Sequence, residues 1–309
     1  MKTALIFGYG GFVGPYLAKE FIDDDYKVVG CDINVPLNLD DDSSFEKCNI
    51  LVFDEVLKII NSVKPSVIIN LAAISSVGQS WKIPQTTVSV NVVGALNILE
   101  ASKMLDIKPK VLFVGSSEEY KTSEKAINEE CELDANNPYG ISKLMQERFA
   151  ELYREQYNMK IYCVRPFNHT GIGQRDTFVL PSFCKQIAEI EKSGKPGTIY
   201  VGNLDIKRDF SDVRDIVKAY KMIVDSENDR IVYNVGFGKA YSLKDLLNYI
   251  ISLSHQEIEV SINQDRARSV DNPIILCDHS LITKNLSWNP KYDILETIKE
   301  MYNFYLKSN

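Results

Sequence analysis

Tyr139 and Lys143 are the pair of residues in this sequence whose types and spacing best suit acid–base chemistry. Asn137 can cap a helix and Pro138 suits the first helical position, so a helix is predicted to begin here. Residues four positions apart share one helical face, which brings the phenol next to the ammonium. Because a nearby cation favours the phenolate, we expect the pKa of Tyr139 to be lowered toward neutrality. Such pairs also recur by chance on amphipathic helices, so the functional reading depends on the rest of the chain.

A glycine cluster follows the first predicted strand, residues 3–7, and precedes an apolar-periodic segment. Gly8, Gly11 and Gly14 stand where a strand–turn–helix unit needs small residues, so that the backbone can turn and approach a pyrophosphate. The second predicted strand ends at Asp32, whose carboxylate can hydrogen-bond an adenosine ribose diol and would repel a 2′-phosphate. The combination predicts a dinucleotide site with a preference for NAD(H).

Further buried strands are predicted at 67–73 and 110–115, with a helical pattern over about 85–105 between them. This alternation predicts an α/β fold with a doubly wound parallel sheet of the Rossmann type, whose ligands bind at the carboxyl ends of the strands. The small and polar residues that follow those strand ends are Ala72, Ala73, Ser75, Ser76, Ser116, Ser117 and Glu118. We expect them to line the site.

The chain beyond residue 160 is predicted to contribute to two lobes. A strand at 160–165 precedes a polar loop, a helix over about 178–193 and a strand at 231–235 that returns to the main sheet. The remainder has the pattern of a smaller α/β C-terminal substrate lobe with an amphipathic terminal helix. The predicted dinucleotide-binding part is 1–166 plus about 212–237, and the predicted substrate part is about 167–211 plus 238–309.

The composition excludes several classes of partner. A net charge of -7 and no long basic run argue against nucleic acid or an anionic membrane. Six scattered cysteines without a C-x-x-C pair are typical of reduced thiols in a cytoplasmic protein, and they predict no structural zinc site. The apolar N-terminal run leads directly into the glycine cluster, so we interpret it as a strand and not as a signal peptide.

The motifs are together similar to those of a known family. Gly8-x-x-Gly11-x-x-Gly14, Asp32, Asn91, Ser116 and Tyr139-x-x-x-Lys143 resemble the extended short-chain dehydrogenase/reductases that act on nucleotide sugars. Residues 165–171 and 202–212 are similar to the GDP-mannose branch, which contains 4,6-dehydratases and GDP-4-keto-6-deoxymannose reductases. The second stretch resembles the reductases most, and the resemblance covers nearly the whole chain.

The resemblance implies roles for individual residues. Tyr139 would exchange a proton with the sugar O4, Lys143 would hold the nicotinamide ribose, and Ser116 would share the O4 hydrogen bond. The implied NAD(H)-binding residues are Gly8, Gly11, Phe12, Val13, Asp32, Asn49, Ile50, Leu71, Ala72, Ala73, Asn91, Tyr139, Lys143 and Pro166. The implied substrate-binding residues are Ser76, Ser117, Asn168, Val179, Asn203, Arg208 and Arg268, of which the two arginines would contact a diphosphate. His169 is interpreted as structural, and a homodimer is implied through the helix before Leu105 and the helix from Tyr139.

Glu118 leaves the reaction open, because it aligns with the glutamate that the 4,6-dehydratases use to remove the C5 proton. Three enzymes remain compatible: a GDP-4-keto-sugar reductase, a 4-dehydrogenase of a GDP-mannose-type sugar or GDP-heptose, and a 4,6-dehydratase. We favour C4 hydride transfer without dehydration, with reduction ahead of oxidation. A non-catalytic NAD-binding module is the alternative from another class.

Overall fold

Strands and helices alternate along the chain, and the computed structural model describes residues 2–35, 43–227, 229–263 and 272–308. The strands in these residues are β1 (Thr3–Phe7), β2 (Lys27–Asp32), β3 (Ser43–Lys47), β4 (Val67–Asn70), β5 (Lys110–Val114), β6 (Ile161–Pro166), β7 (Asn168–Thr170), β8 (Gly197–Val201), β9 (Lys207–Asp212), β10 (Val232–Val235), β11 (Ala240–Ser242), β12 (Ile258–Ile262) and β13 (Ile274–Ile275). The α-helices are α1 (Val13–Ile22), α2 (Phe53–Val63), α3 (Val77–Lys82), α4 (Pro84–Val88), α5 (Gly94–Lys103), α6 (Pro138–Tyr157), α7 (Val179–Ser193), α8 (Val213–Asp225), α9 (Leu243–Ile251), α10 (Ser280–Leu286) and α11 (Ile294–Lys307).

The main sheet has seven strands in the order β10-β6-β5-β4-β1-β2-β3. All its pairs are parallel, so their carboxyl ends meet at one edge. From β1 the chain moves outward to β2 and β3, and then returns to β4 on the other side of β1. This reversal makes a switch point, where doubly wound sheets bind their ligands. The predicted fold class is confirmed, as is the return of the strand near residue 235 to this sheet.

Helices cover both faces of the main sheet, which is why its strands are apolar in nearly continuous runs. Side chains of β1 alternate between two cores: Ala4 and Ile6 face one, and Leu5 and Phe7 face the other. The first core is completed by α1, α8 and the indole of Trp288, and the second by α2, α5 and α6. No helix among the described residues combines the length and apolarity that a membrane crossing requires.

A second group of strands and helices packs around a core of its own. Strands β7, β9, β11 and β13 form one small sheet, and β8 pairs with β12. Helices α7, α9 and α11 supply most of the core beside them. The chain enters and leaves this group more than once, since β10 of the main sheet lies between β9 and β11 in sequence.

The buried carboxylate of Asp209 joins the two groups of strands. One oxygen accepts hydrogen bonds from the backbone N–H groups of Gly238 (2.8 Å) and Cys277 (3.0 Å), and the other accepts from Phe237 N (2.9 Å). Asp209 belongs to β9, whereas Phe237 and Gly238 follow the end of β10. Burial raises the pKa of Asp209 to about 6, although the backbone donors act in the opposite direction.

Two local predictions differ from the structure. The predicted strand at 67–73 ends at Asn70, and the helix predicted over about 85–105 consists of α4 and α5 separated by a π-helical turn, Ser89–Val93. The extra residue of such a turn re-aims side chains, and here it carries the buried Asn91. Strand β3 and helix α2 were not predicted; β3 is an edge strand of mostly polar residues and lacks the apolar run of its neighbours.

Candidate active site

The glycine turn between β1 and α1 packs so closely against the segment after β4 and against its own backbone that side chains do not fit at Gly8 and Gly14. Gly8 has φ +79°, and a Cβ on it would lie 2.5 Å from Ala72 N. A Cβ on Gly14 would lie 2.0 Å from Tyr9 O. In the described structure no side chain caps the N-terminus of α1, where the backbone N–H groups point outward and suit an anion. The turn therefore fits a pyrophosphate by its backbone.

Asp32 lies beside this turn at the carboxyl end of β2. Its Oδ2 accepts a hydrogen bond from Gly10 N (3.1 Å), and its Oδ1 accepts one from Asn34 N (3.3 Å). These two contacts fix the carboxylate at the edge of the sheet. Next to it is a depression of about 350 Å³, lined by Ile33, Lys47, Asn49 and Glu55. The acid and the depression fit the ribose and base of an adenosine.

Helix α6 begins as predicted and presents the tyrosine and the lysine. Asn137 caps it by accepting a hydrogen bond from Gly140 N (2.9 Å), and Pro138 is its first residue. Tyr139 and Lys143 are both buried, against the turn that follows β5. The side chain of Ser116 lies close enough to the Tyr139 phenol to act on its pKa. The structure thus brings a serine, a tyrosine and a lysine to the end of one strand.

The predicted effect of Lys143 on Tyr139 is wrong in this structure. The pKa of Tyr139 is raised, because burial disfavours the phenolate more than the hydrogen bond from Ser116 favours it, and the Glu119 and Glu118 carboxylates oppose the phenolate further. Burial also lowers the pKa of Lys143 to about 8. Lys143 Nζ donates to Val114 O at 2.7 Å, so its charge is directed at a strand end. Spacing on a helix could not reveal this desolvation.

Asn91 positions the loop after β4 and the start of α6. Its Oδ1 accepts from Ile74 N (2.8 Å), and its Nδ2 donates to Ile74 O (3.2 Å) and to Ser142 Oγ (2.8 Å). The amide is therefore occupied by the protein itself, so its predicted cofactor role would be to position other groups. Ser80 adds a second link, since its hydroxyl accepts from Tyr139 N (3.2 Å). The predicted residue Ser76 caps α3, the helix that carries Ser80.

Glu118 lies in the turn that carries Ser116. Its Oε2 accepts from Asn137 Nδ2 (2.9 Å), and its backbone N–H donates to Ser116 Oγ (3.1 Å). Its carboxylate is thus oriented by the residue that caps α6. Ser117, between them, is buried. The structure brings the predicted catalytic set together, with Glu118 at its border.

Sequence reasoning missed three buried ionisable residues beneath Ser116. Glu119 Oε1 accepts a hydrogen bond from Ser116 N at 2.6 Å, and Arg165 makes a bidentate pair with Glu147. All three side chains are at most 4 % exposed. An arginine inside the apolar strand at 161–166 was the available signal, because a buried cation requires acidic partners.

The other predicted site residues lie at the strand ends or in the second group of strands. Leu71, Ala72 and Ala73 follow β4, Ile50 follows β3, and Pro166 ends β6. Val179 begins α7, Asn168 and Arg208 are in neighbouring strands β7 and β9, and Asn203 precedes β9. Arg268 lies outside the described residues.

Arg208 is buried, and its Nη1 donates to the carbonyls of Lys207 (2.8 Å) and Asn272 (2.7 Å). Asn168 is exposed and follows the end of β6 closely. Between the two groups of strands, the ring of His169 stacks on Phe12 of the glycine turn, with 6.3 Å between ring centroids. Burial lowers the pKa of His169, in keeping with a structural role.

A glycine turn at the switch point of a parallel sheet, with a serine close to a buried tyrosine and a buried lysine, defines a Rossmann-fold protein of the extended short-chain dehydrogenase/reductase class. The sequence model of the GDP-mannose 4,6 dehydratase family matches residues 5–301, and the chain belongs to that family. The resemblance to the GDP-mannose branch is confirmed.

Known proteins that the chain resembles differ in reaction. It is 29% identical over 238 residues to a GDP-6-deoxy-D-mannose reductase of Pseudomonas aeruginosa, with 76% of this chain and 78% of the relative covered. It is 27% identical to a GDP-6-deoxy-D-talose 4-dehydrogenase of Aggregatibacter actinomycetemcomitans, with 96% of each covered. The crystal structure of a UDP-glucose 4-epimerase from Thermotoga maritima superposes with a TM-score of 0.88 over 99% of both chains at 23% identity, which supports the fold alone.

Replacing Lys143 with Met is expected to stabilise the protein at pH 7. Lowering its pKa from 10.5 to about 8 means that the buried ammonium destabilises the folded state by up to about 3 kcal/mol below pH 8. This cost declines as pH rises from about 8 to 10.5, because the folded state loses the proton first. Val114 O keeps a donor, since Gln146 Nε2 lies at 3.2 Å.

Urea unfolding at several pH values measures this difference. The free energy of unfolding of the Lys143→Met protein should be larger than that of the wild type at pH 7. The two free energies should become equal near pH 10.5. Lys19→Met, at an exposed lysine, is the matched control and should change stability by less than about 0.5 kcal/mol. A Lys143→Met protein that is less stable than the wild type at pH 7 would contradict the expectation.

Proposed function

We propose that this chain is an NAD(H)-dependent oxidoreductase that acts at C4 of a GDP-sugar, most favourably as a reductase of a GDP-4-keto-6-deoxymannose-type substrate. The observation that carries the proposal is the position of the Ser116 side chain close to the Tyr139 phenol and beside buried Lys143, in a member of the GDP-mannose 4,6 dehydratase family. An intact proton donor at a strand end distinguishes an enzyme from a module that only binds a dinucleotide.

The residues divide the reduction between them. Tyr139 donates its phenolic proton to the O4 atom of the substrate, and Ser116 holds that oxygen by a second hydrogen bond. The positive charge of the Lys143 ammonium stabilises the phenolate that remains after the proton has left. NAD(H), when bound, supplies the hydride to C4. Burial serves the reaction because it excludes water and keeps the phenol protonated until the substrate oxygen accepts the proton.

The glycine turn, Asp32 and the adjacent depression would hold the cofactor. Backbone N–H groups of the turn and of the first turn of α1 would bind its pyrophosphate, and Asp32 would bind the adenosine ribose. Asn49 and Ile50 would flank the base, and Leu71 to Ala73 would border the nicotinamide half. We assign this function to residues 1–166 and about 212–237.

The substrate would be held by the second part, about 167–211 and 238–309. Asn168 and Arg208 are in adjacent strands of one small sheet, so both could contact the sugar nucleotide. Arg208 is oriented by two backbone carbonyls, and its fixed charge would attract a diphosphate on an otherwise acidic protein. Val179, Asn203, Ser76, Ser117 and Arg268 complete the proposed substrate contacts.

Oxidation at C4 is the second candidate. The relative named GDP-6-deoxy-D-talose 4-dehydrogenase resembles the chain over 96% of its length, against 76% for the reductase. Both reactions use the same C4 hydride transfer and the same proton exchange at Tyr139. Dehydration additionally requires a base for the C5 proton, and Glu118 is the candidate for that role.

Product analysis tests the function. We expect the purified protein to reduce a GDP-4-keto-6-deoxymannose-type sugar with NADH, and to yield a product two mass units heavier. Tyr139→Phe should bind NADH as tightly as the wild type but lose about 100-fold or more of turnover, because only the proton donor is removed.

Each product identifies one reaction. With GDP-mannose and NAD, loss of one water would indicate a 4,6-dehydratase, and a 4-keto product with every oxygen retained would indicate a 4-dehydrogenase. Absence of turnover on all GDP-sugars, together with tight NADH binding, would favour the non-catalytic module. Turnover of Tyr139→Phe within a few-fold of the wild type would refute the assigned proton donor.

The position of Asp32 predicts a preference for NADH over NADPH. A 2′-phosphate would meet the carboxylate as a like charge, at a site where two backbone N–H groups hold the carboxylate in place. Asp32→Ala should weaken the binding of NADH and strengthen the binding of NADPH. The ratio of the two dissociation constants, measured by fluorescence titration, should therefore move closer to one. Equal affinities of the wild type for both cofactors would mean that Asp32 does not contact the ribose.

We propose a homodimer in the cytoplasm. Ile141, Met145 and Leu152 form an exposed apolar stripe along α6, the helix implied in dimer contacts, and all six cysteines are free thiols. Sedimentation equilibrium is expected to give a dimer for the wild type and a monomer for the Ile141→Glu, Leu152→Glu double variant. A monomeric wild type at micromolar concentration would exclude this interface.

A further inference from the structure

A buried acid, Glu119, lies directly beneath Ser116. Its side chain is fully buried, and its Oε1 accepts a hydrogen bond from Ser116 N at 2.6 Å. Gly115 makes room for it, since a Cβ on that glycine would lie 2.4 Å from the same oxygen. The last backbone hydrogen bond between the β5 segment and β6 is from Gly115 N to Val164 O. The next N–H, that of Ser116, donates to the Glu119 carboxyl instead of to β6.

The second oxygen of Glu119 is poorly solvated. Oε2 lies 3.6 Å from Arg165 Nε, beyond hydrogen-bond distance, and has no hydrogen-bond partner among the described residues. The N–H groups of Arg165 donate to other acceptors: two form a bidentate pair with Glu147, and Nη1 donates to Tyr120 Oη at 2.7 Å. The guanidinium is thus already balanced by one carboxylate. A second buried carboxylate with a single N–H donor would be costly, which favours the acid form.

The groups facing Glu119 agree with this assignment. Burial, and after it the Glu147 carboxylate, disfavour an anionic Glu119. They outweigh Arg165, the Ser116 N–H and Lys143, which favour the anion, so that the pKa of Glu119 is raised well above its ordinary value. The remaining titratable neighbours are Tyr139 and Cys163, and both would be opposed by an anionic Glu119 in releasing a proton. A neutral Glu119 therefore removes a charge that would resist proton transfer from Tyr139.

We propose that Glu119 is a positioning residue for the reaction, which in its neutral carboxylic acid form holds the Ser116 backbone so that the Ser116 hydroxyl meets the Tyr139 phenol. The proposal rests on the proposed function. A side-chain acceptor is needed at this position because Ser116 N would otherwise be a buried donor without a partner. Neutrality is needed because the phenol must become anionic nearby when it gives up its proton.

Three variants separate the acceptor from the charge. Glu119→Gln keeps an acceptor for Ser116 N and is always neutral. Glu119→Leu removes the acceptor, and Glu119→Asp keeps the acid but withdraws it by one methylene. We expect Glu119→Gln to retain kcat within about threefold, with an unchanged pH profile. We expect the Leu and Asp variants to lose about 10- to 100-fold in kcat, with KM within about twofold, because Ser116 is misplaced.

Asp215→Asn is the matched control for losing a buried acid. Asp215 Oδ2 accepts from the backbone N–H groups of Lys291 (2.9 Å) and Tyr292 (3.0 Å), so this variant should lower the melting temperature and leave kcat and its pH profile unchanged. Glu119→Asp covers the case in which Glu119→Leu does not fold. The proposal is overturned if Leu and Asp variants keep kcat within threefold, or if Glu119→Gln loses as much as they do.

Amide exchange provides a readout that needs no substrate. Deuterium uptake at Ser116 should be slow in the wild type and in Glu119→Gln, and at least about tenfold faster in Glu119→Leu and Glu119→Asp, because the N–H loses its acceptor. Equal uptake in all four proteins would overturn the positioning role. If no GDP-sugar is turned over, the proposed function fails, whereas the exchange measurement still decides whether Glu119 holds Ser116.

Discussion

Exclusion of water from the space between the end of β5 and the first turns of α6 is the constraint on which this site depends. Tyr139, Lys143 and Glu119 are all buried there, and burial is the largest influence on the pKa of each. In water the three would titrate at their ordinary values and bear little on one another. In this space the tyrosine keeps its proton, the lysine binds its proton more weakly than in water, and the glutamic acid favours its neutral form. Several independent hydrogen bonds hold these side chains in place.

That support comes from separate parts of the chain. Asn91, in the π-helical turn, bonds both the loop after β4 and Ser142 of α6, and Ser80 bonds the backbone of Tyr139. The pair of Arg165 and Glu147 fixes a balanced charge below the serine turn. A site built this way trades stability for reactivity, because buried ionisable groups weaken the fold that contains them. The apolar cores on both faces of the sheet compensate for that loss.

Local signals explain what the sequence could predict. The strand before the glycines, the acid at the end of β2, and the Asn137–Pro138 start of α6 depend on neighbours in sequence, and the structure has all three. The shift in the pKa of Tyr139 and the role of Glu119 depend on residues that only the folded chain brings together. Adjacent glutamates in a polar turn usually indicate solvent exposure, so burial of Glu119 contradicts the local pattern. The sequence did not predict the π-helical turn either, because one extra residue barely changes the apolar periodicity of a helix.

The position of β10 has a consequence for the making of the protein. Strand β6 is complete once the ribosome has passed residue 166, yet its outer edge pairs with β10, which ends at Val235. At a synthesis rate of about 5–20 residues per second, that edge waits several seconds with unpaired N–H and C=O groups. During this time α7 and three of the six strands of the second group emerge, namely β7, β8 and β9 with Asp209. A nascent chain stalled in this interval would offer an open sheet edge to other chains, so chaperone dependence should concentrate there and not in the finished enzyme.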